Sequence, residues 1–328
     1  MLETIRFVRG AVSDKDTGPH PILTHFFIYS GRVQGSDGRI AIDAACPDLN
    51  IDAIVPAERF LRAVDICGDK VRLKASEKAD RVVVTDGRFK ATLALFQADY
   101  PRKEPSKGKK YPVPDDFIEE LSLLRPFIGE DATRPWSSSI YFHKGSSFAI
   151  YNAIMGVMEK SVLQGHELAL PIHCVDELLR IGVAPDKFSY DETSVTFFWG
   201  ATRWLQSQLL VNEWPSATAE KLLAEVPKKM PTIPDGFLEA VEKVVPFCND
   251  PDYPIVDFNS TGISTQDSAE SKAEISGIDL KTFRSDARNL VPMLKVADSM
   301  FINDDGSKAY FRNKKLGWVG LLAGIKRV

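Results

Sequence analysis

The chain has 328 residues, 44% of them hydrophobic and 26% charged, with 45 acidic against 41 basic side chains and a net charge of −4. That length predicts two or three domains, and that balance excludes a protein that coats nucleic acid with its whole surface, though not one with a local basic face. No apolar run reaches the roughly 20 residues that cross a bilayer, the opening Met1-Leu2-Glu3-Thr4-Ile5-Arg6 lacks the start of a signal peptide, and Cys46, Cys67, Cys174 and Cys248 have no paired metal spacing, so a cytoplasmic protein with free thiols is expected.

In chain order, residues 2–12 have a helical period, with Leu2, Ile5, Val8 and Val12 on one side. Residues 24–42 have strand composition, broken by Gly31 and the turn Ser36-Asp37-Gly38. Pro56 opens a second helix with Phe60, Leu61 and Val64 on its buried side. Residues 70–95 alternate like a meander, with Asp86-Gly87 as a hairpin turn. Asp99-Tyr100-Pro101 closes this block, and a polar linker, 102–114, follows. Its Lys107-Gly108-Lys109-Lys110 reads as a solvated run in preference to a nucleic-acid tract.

The second block repeats the pattern. A helix over 117–125 precedes a hairpin over 139–150 that turns at Lys144-Gly145. Pro171 opens a helix with Cys174, Val175, Leu178 and Leu179 inside, and 188–211 supply strands. Glu213-Trp214-Pro215 closes the block, and residues 216–234 link it to the third. There a helix over 237–245, strands over 255–275, a helix from Asp279 to about Leu290, and strands to the end are expected, with Asp304-Asp305-Gly306 at the last turn. Pro114-Asp115-Asp116-Phe117 and Pro234-Asp235-Gly236-Phe237 each lead to a Pro-Phe pair, and the spacing of these landmarks gives a period near 114. That is the size of a small domain. The expected fold is α+β: three domains, 1–110, 111–220 and 221–328, each with two helices on antiparallel sheet.

At this point the chain resembles the bacterial-type DNA sliding clamp, the beta subunit family of the replicative DNA polymerase III. Ile54-Val55-Pro56-Ala57-Glu58-Arg59-Phe60-Leu61 looks like the family's strand into helix. Gly87-Arg88-Phe89-Lys90 through Asp99-Tyr100-Pro101, and Glu213-Trp214-Pro215, look like its domain endings. Leu321-Leu322-Ala323-Gly324-Ile325-Lys326-Arg327-Val328 looks like its closing strand and tail. The chain is compact for a cellular member and compatible with a phage or prophage version. The resemblance implies a head-to-tail homodimer: a six-domain ring that encircles duplex DNA without reading its sequence. It implies a processivity factor with no catalytic residues and no cofactor. The implied partners are a polymerase and a clamp loader, docked through short peptide motifs, with no membrane association.

Three sets of residues follow from it. Arg6, Arg9, Arg59, Arg62, Arg125, Arg180, Lys243, Lys281, Arg284 and Arg288 lie on the polar sides of the six proposed helices, where they would face phosphates. As ordinary solvated helix charges they would need no DNA. The acids Asp115, Asp116, Glu119, Glu120, Asp176 and Glu177 make the second block the weakest part of such a lining. Ile154, Met155, Val157, Leu222, Leu321, Leu322 and Ile325 fall where the family docks partner peptides, although Ala153-Ile154-Met155-Gly156 replaces its usual polar stretch. Simple core packing is the competing explanation for each. The strand over 88–96, with Arg88 and Lys90, would pair across the dimer with 270–275, with Glu270 and Glu274. Among the histidines, His143 and His173 read as surface or satisfied groups, and no phosphate loop or nucleophile elbow is present. A peptide-binding ring or scaffold that never meets DNA remains the alternative.

Overall fold

A computed structural model describes residues 1–14, 20–76, 78, 80–211, 213–259, 262–265, 271–275 and 281–326. Among them are seven α-helices: α1 (Leu2–Arg9), α2 (Ala57–Cys67), α3 (Phe117–Leu124), α4 (Ile172–Ile181), α5 (Ser216–Ala224), α6 (Phe237–Val244) and α7 (Ala287–Val296). Two fall in each sequence block and α5 lies in the second linker. Every sheet is antiparallel, so the α+β expectation holds. The chain divides into two compact units, Met1–Ile118 with His173–Val211, and Glu119–Ile172 with Asn212–Val328. Each unit therefore combines an outer block with half of the middle one.

The first unit holds an eight-stranded sheet in the spatial order Ala53–Pro56, His25–Tyr29, Arg32–Ser36, Ile40–Ala45, Arg203–Gln208, Ser194–Trp199, Lys187–Tyr190 and Tyr111–Pro112. First-block and second-block strands join where Ile42 pairs with Leu205. Alternation sends Phe26, Ile28, Val33, Ile42, Val195, Phe197 and Leu205 inward, and all but fully bury them. Ile5 and Val8 of α1 and Phe60 and Val64 of α2 are also fully buried, as their helical spacing requires. On the other face of the sheet, Asp43 is buried and accepts bonds from Arg32 Nε (2.7 Å), Tyr29 Oη (2.6 Å) and Gln34 Nε2 (3.2 Å). Burial and the Asp43 carboxylate push the Tyr29 hydroxyl up to about 12. A three-stranded sheet, Arg72–Ala75, Arg81–Thr85 and Lys90–Ala94, completes the unit, with Gly87 at φ 98° in the expected hairpin turn.

The second unit holds a seven-stranded sheet in the order Leu168–Pro171, Ser139–His143, Ser146–Tyr151, Ile154–Met158, Trp318–Ala323, Lys308–Asn313 and Ser299–Ile302. Its central join pairs Met155 with Leu321 and Gly156 with Gly320. That glycine pair is a packing device: a Cβ on Gly156 would lie 2.4 Å from the Phe127 ring, and one on Gly320 2.5 Å from Met293 Sδ. The missing side chains let Phe127 and Trp318 meet with ring centroids 5.7 Å apart. Lys144 and Gly145 both have positive φ, 49° and 80°, as a two-residue hairpin turn demands. A four-stranded sheet runs Lys272–Glu274, Gly262–Thr265, Ile255–Asn259 and Phe283–Asp286.

Two elements differ from expectation: α5 stands in the segment read as the second linker, and one expected helix is displaced. The helix expected from Asp279 to about Leu290 is instead a strand, Phe283–Asp286, followed by α7. Asp279 itself lies outside the described residues. The Asp286 carboxylate accepts the Arg288 N–H at 2.9 Å and starts α7 as its N-cap. The helix then continues through Pro292, because Leu290, Met293 and Leu294 are buried on one side.

Candidate functional site

The ten proposed DNA-facing cations differ in what already holds them. Arg59 and Arg62 stand exposed on α2, with no ion-pair partner among the described residues. Arg6 is exposed on α1 and pairs with Asp65 at 2.9 Å. Arg9 is three-quarters buried at the end of α1, held by Glu58 (3.2 Å), Asp14 and the Val12 carbonyl (3.0 Å). Arg125 is half-buried in the single 3-10 turn after α3. Lys243 pairs one helical turn back with Glu239 at 2.6 Å, both exposed. Arg288 is held by Asp286 and lies 4.6 Å over the Tyr253 ring.

Of the remaining three, two are not on helices and the third is engaged by other groups. Arg284 is on the Phe283–Asp286 strand and makes a two-pronged pair with Asp257, both bonds 2.8 Å, with both side chains largely buried. Lys281 precedes that strand and pairs with Asp304. The spacing of four that placed Arg284 and Arg288 on one helix face spans a strand–helix junction instead. Arg180 is on α4 as expected, but its guanidinium donates to Glu177 Oε1 (2.6 Å) and Oε2 (2.8 Å) and to the Phe7 carbonyl (2.8 Å). It serves the carbonyl end of α1, where backbone acceptors have no helical partner.

The acids of the middle block resolve in a similar way. Glu120 is buried and accepts from Ser147 Oγ (2.5 Å), Ser161 Oγ (2.8 Å) and the Val162 N–H (2.7 Å). Glu177 is buried beside Gly10, where a Cβ would fall 2.1 Å from its carboxylate, and burial raises its carboxyl above the usual range. Only Asp115, Asp116, Glu119 and Asp176 of the six remain exposed.

The proposed peptide-pocket residues lie in the second unit, and strand alternation sorts them. Met155, Val157 and Leu321 belong to one apolar cluster with Phe148, Trp214, Ala219, Val226, Tyr310 and Val319. Leu222 of α5 packs against it from a half-buried position, as do Trp136, Tyr141, Ile150, Leu223, Met230 and Phe301. Trp214 stacks on Tyr141 at 4.8 Å. Lys144 Nζ donates to Glu220 at 2.8 Å and Tyr310 Oη to Glu225 at 3.3 Å, so α5 is pinned along this cluster. Ile154 and Leu322 are paired with each other and point to the opposite face, among the buried side chains behind the sheet. Ile325 is 41% exposed and lies beyond the strand, its N–H on the Arg284 carbonyl at 2.8 Å. The aromatic wall went unread in the sequence, although Pro135-Trp136 and Trp214-Pro215 were there to mark it.

The proposed interface residues lie at sheet margins. Lys90 starts the Lys90–Ala94 strand, an outer strand of its three-stranded sheet, and Arg88 sits in the turn before it. Glu274 ends Lys272–Glu274, an outer strand of the four-stranded sheet. Glu270 lies outside the described residues. His143 stacks on Tyr141, its Nδ1 meets Glu167, and its buried Nε2 lies 3.3 Å from a Glu220 oxygen without a hydrogen bond. His173 is partly buried, which lowers its basicity, and its Nε2 is 3.3 Å from Ser207 Oγ.

No protein-family model and no curated protein sequence matches the chain. Solved structures do. The DNA polymerase sliding clamp of Bacillus subtilis superposes with a TM-score of 0.78 at 17% identity, over 100% of this chain and 97% of that one. The Caulobacter crescentus pol III beta gives 0.79 at 19%, over 99% and 97%. The Helicobacter pylori beta clamp bound to a DNA ligase peptide gives 0.74 at 13%, over 99% and 97%. The chain has the fold of these proteins along its whole length.

Proposed function

We propose that this chain is a DNA sliding clamp: a non-catalytic processivity factor that closes as a head-to-tail homodimer of six domains around duplex DNA. The observation that carries the proposal is the end-to-end likeness of its fold to bacterial beta clamps. In this reading the domains are 1–110, 111–220 and 221–328. The exposed Arg59, Arg62, Arg6, Lys243 and Arg288 approach phosphates, and Arg9, Arg125 and Lys281 contribute at the margins. Mobile contacts of this kind carry no base information, which suits a ring that must slide.

The partner groove is the exposed rim of the Met155–Leu321 cluster, with Leu222, Trp136 and Tyr141 at hand for an apolar peptide side chain. Polymerase and loader would dock there. Ring closure would pair the Lys90–Ala94 edge with the Lys272–Glu274 edge of a second copy, Arg88 and Lys90 facing Glu270 and Glu274. Unpaired edges invite such pairing, and opposite charge sets its register. No described helix is long and apolar enough to cross a membrane, in keeping with a cytoplasmic replication protein.

The test needs no loader. Protein is threaded onto linear duplex, both ends are blocked with bulky protein caps, and the salt is raised. A clamp stays on the capped DNA and leaves when one cap is removed. Loss from capped and uncapped DNA alike would shift the assignment to a peptide-binding scaffold.

A further inference from the structure

The first unit concentrates positive charge where neither DNA nor the partner groove is proposed. Residues 102–110 contain Arg102, Lys103, Lys107, Lys109 and Lys110 against the single acid Glu104, in a chain of net charge −4. All five cations are exposed. The segment has no secondary structure of its own, yet it is strapped to the eight-stranded sheet on the face away from the apolar core. Gln34 grips it reciprocally, Nε2 donating to the Lys103 carbonyl (2.9 Å) and Oε1 accepting the Lys103 N–H (2.8 Å). Gln206 Nε2 donates to the Glu104 carbonyl (3.2 Å), and the Ser106 N–H donates to Thr196 Oγ1 (3.2 Å). Arg102 lies 4.2 Å over the Tyr29 ring and Lys110 4.0 Å over the Phe198 ring. Such contacts hold the cationic heads in place rather than leaving them to wander.

Lys187 adds to the row: it pairs with Phe198 across the sheet, so its exposed side chain rises on the same face. Asp43, an acid of that face, is buried and held by Arg32, Tyr29 and Gln34. At one end of the strap, Lys103 and Arg39 border a cleft of about 380 Å³ lined by Ser36, Ser194, Gln206 and Gln208. Arg39 shares its charge there with Asp37 at 3.2 Å. Of the rings beneath the strap, Phe198 and Trp204 are only 7% and 6% exposed, and the half-buried Tyr29 and Tyr111 lie under Arg102 and Lys109, which leaves nucleic-acid bases little stacking face. What the surface offers is a line of exposed ammonium groups on an anchored backbone, with Arg102 paired to Glu104 at 2.7 Å and hydrogen-bonding side chains at its end.

We propose that the 102–110 strap, with Lys187, is a docking surface for an acidic extended segment of a partner protein, and that the Arg39–Lys103 cleft receives one of its carboxylates. The probe is a short fluorescein-labelled peptide of alternating Glu and Ser, followed by anisotropy with the full chain, beside a labelled oligothymidylate. The Lys107→Glu/Lys110→Glu/Lys187→Glu variant should lose peptide affinity by about tenfold or more at low salt while binding oligothymidylate unchanged. The corresponding Lys→Gln triple variant, which removes charge without adding acid, should lose less. A Lys228→Glu/Lys229→Glu control, altering two exposed lysines of the other linker, should bind the peptide as the wild type does. Thermal melting of each variant separates lost binding from lost folding. The proposal is overturned if both folded triple variants keep full peptide affinity, if the control loses as much as they do, or if oligothymidylate binding is what the triple variants lose.

Discussion

Two arginine pairs that look alike in sequence behave differently in the fold. Arg59 and Arg62 share the solvent side of α2 and are free to meet a ligand. Arg284 and Arg288, four residues apart where Arg59 and Arg62 are three, would also share a helix face, but one is on a strand and bound to a largely buried Asp257, and the other is held by the N-cap Asp286. A guanidinium on an exposed helix face is available, whereas one that neutralises a buried carboxylate is part of the architecture. The difference lies in burial and partners, which spacing alone does not report.

The sharpest way to break this comparison is to remove each kind of arginine. Arg284→Ala removes both guanidinium bonds from the largely buried Asp257 and should lower stability by about 3–5 kcal/mol, measured by urea unfolding; a loss below about 1 kcal/mol would return Arg284 to the class of available cations. Arg59→Ala/Arg62→Ala should unfold within about 0.5 kcal/mol of wild type per substitution, yet bind duplex less tightly, with a salt slope shallower by about 0.9 for each phosphate no longer neutralised. An unchanged slope would remove α2 from the proposed lining.

Glu120 and Glu177 extend the contrast to acids. Glu120→Ala strands two hydroxyls and an N–H, at about 1–3 kcal/mol for each buried group left unsatisfied, whereas the exposed Glu119→Ala should be nearly silent; equal effects would refute the assignment. Glu177 gives the smallest effect. Its carboxyl is raised by burial above 4.5, the value of a free glutamate, so its contribution is fully present below that pH and declines as pH rises through the folded-state value. The stability of wild type relative to Glu177→Gln should therefore fall as pH increases from about 4.5 toward neutrality. A gap independent of pH would show that Arg180 fully offsets the burial.

Much of the fold was legible because it repeats. The Pro-Phe and aromatic-proline landmarks, the Asp86-Gly87 and Lys144-Gly145 turns, and the buried side of α2 all follow from local chemistry. The start of α7 was misplaced: the expected helix began at Asp279, although Asp286 has the chemistry of a good N-cap. Other features were hidden because their causes are distant in sequence. Glu120 meets Ser147 and Ser161 at separations of 27 and 41 residues, and an acid in an amphipathic helix ordinarily reads as surface. Ile154 and Met155 were grouped by the position that the family resemblance gave them, although neighbouring strand residues face opposite ways. The pairing of Met155 with Leu321 and of Ile42 with Leu205, which ties separate blocks into continuous sheets, is a tertiary fact that no local pattern announces.

The central claim is ring closure, and small-angle X-ray scattering from material eluting off a sizing column tests it most directly. The account predicts a particle of about 73 kDa, twice the 36.5 kDa chain, with the flat, hollow profile of a closed twofold assembly. A single chain of 36.5 kDa with no central hole, unchanged at high protein concentration, would contradict it.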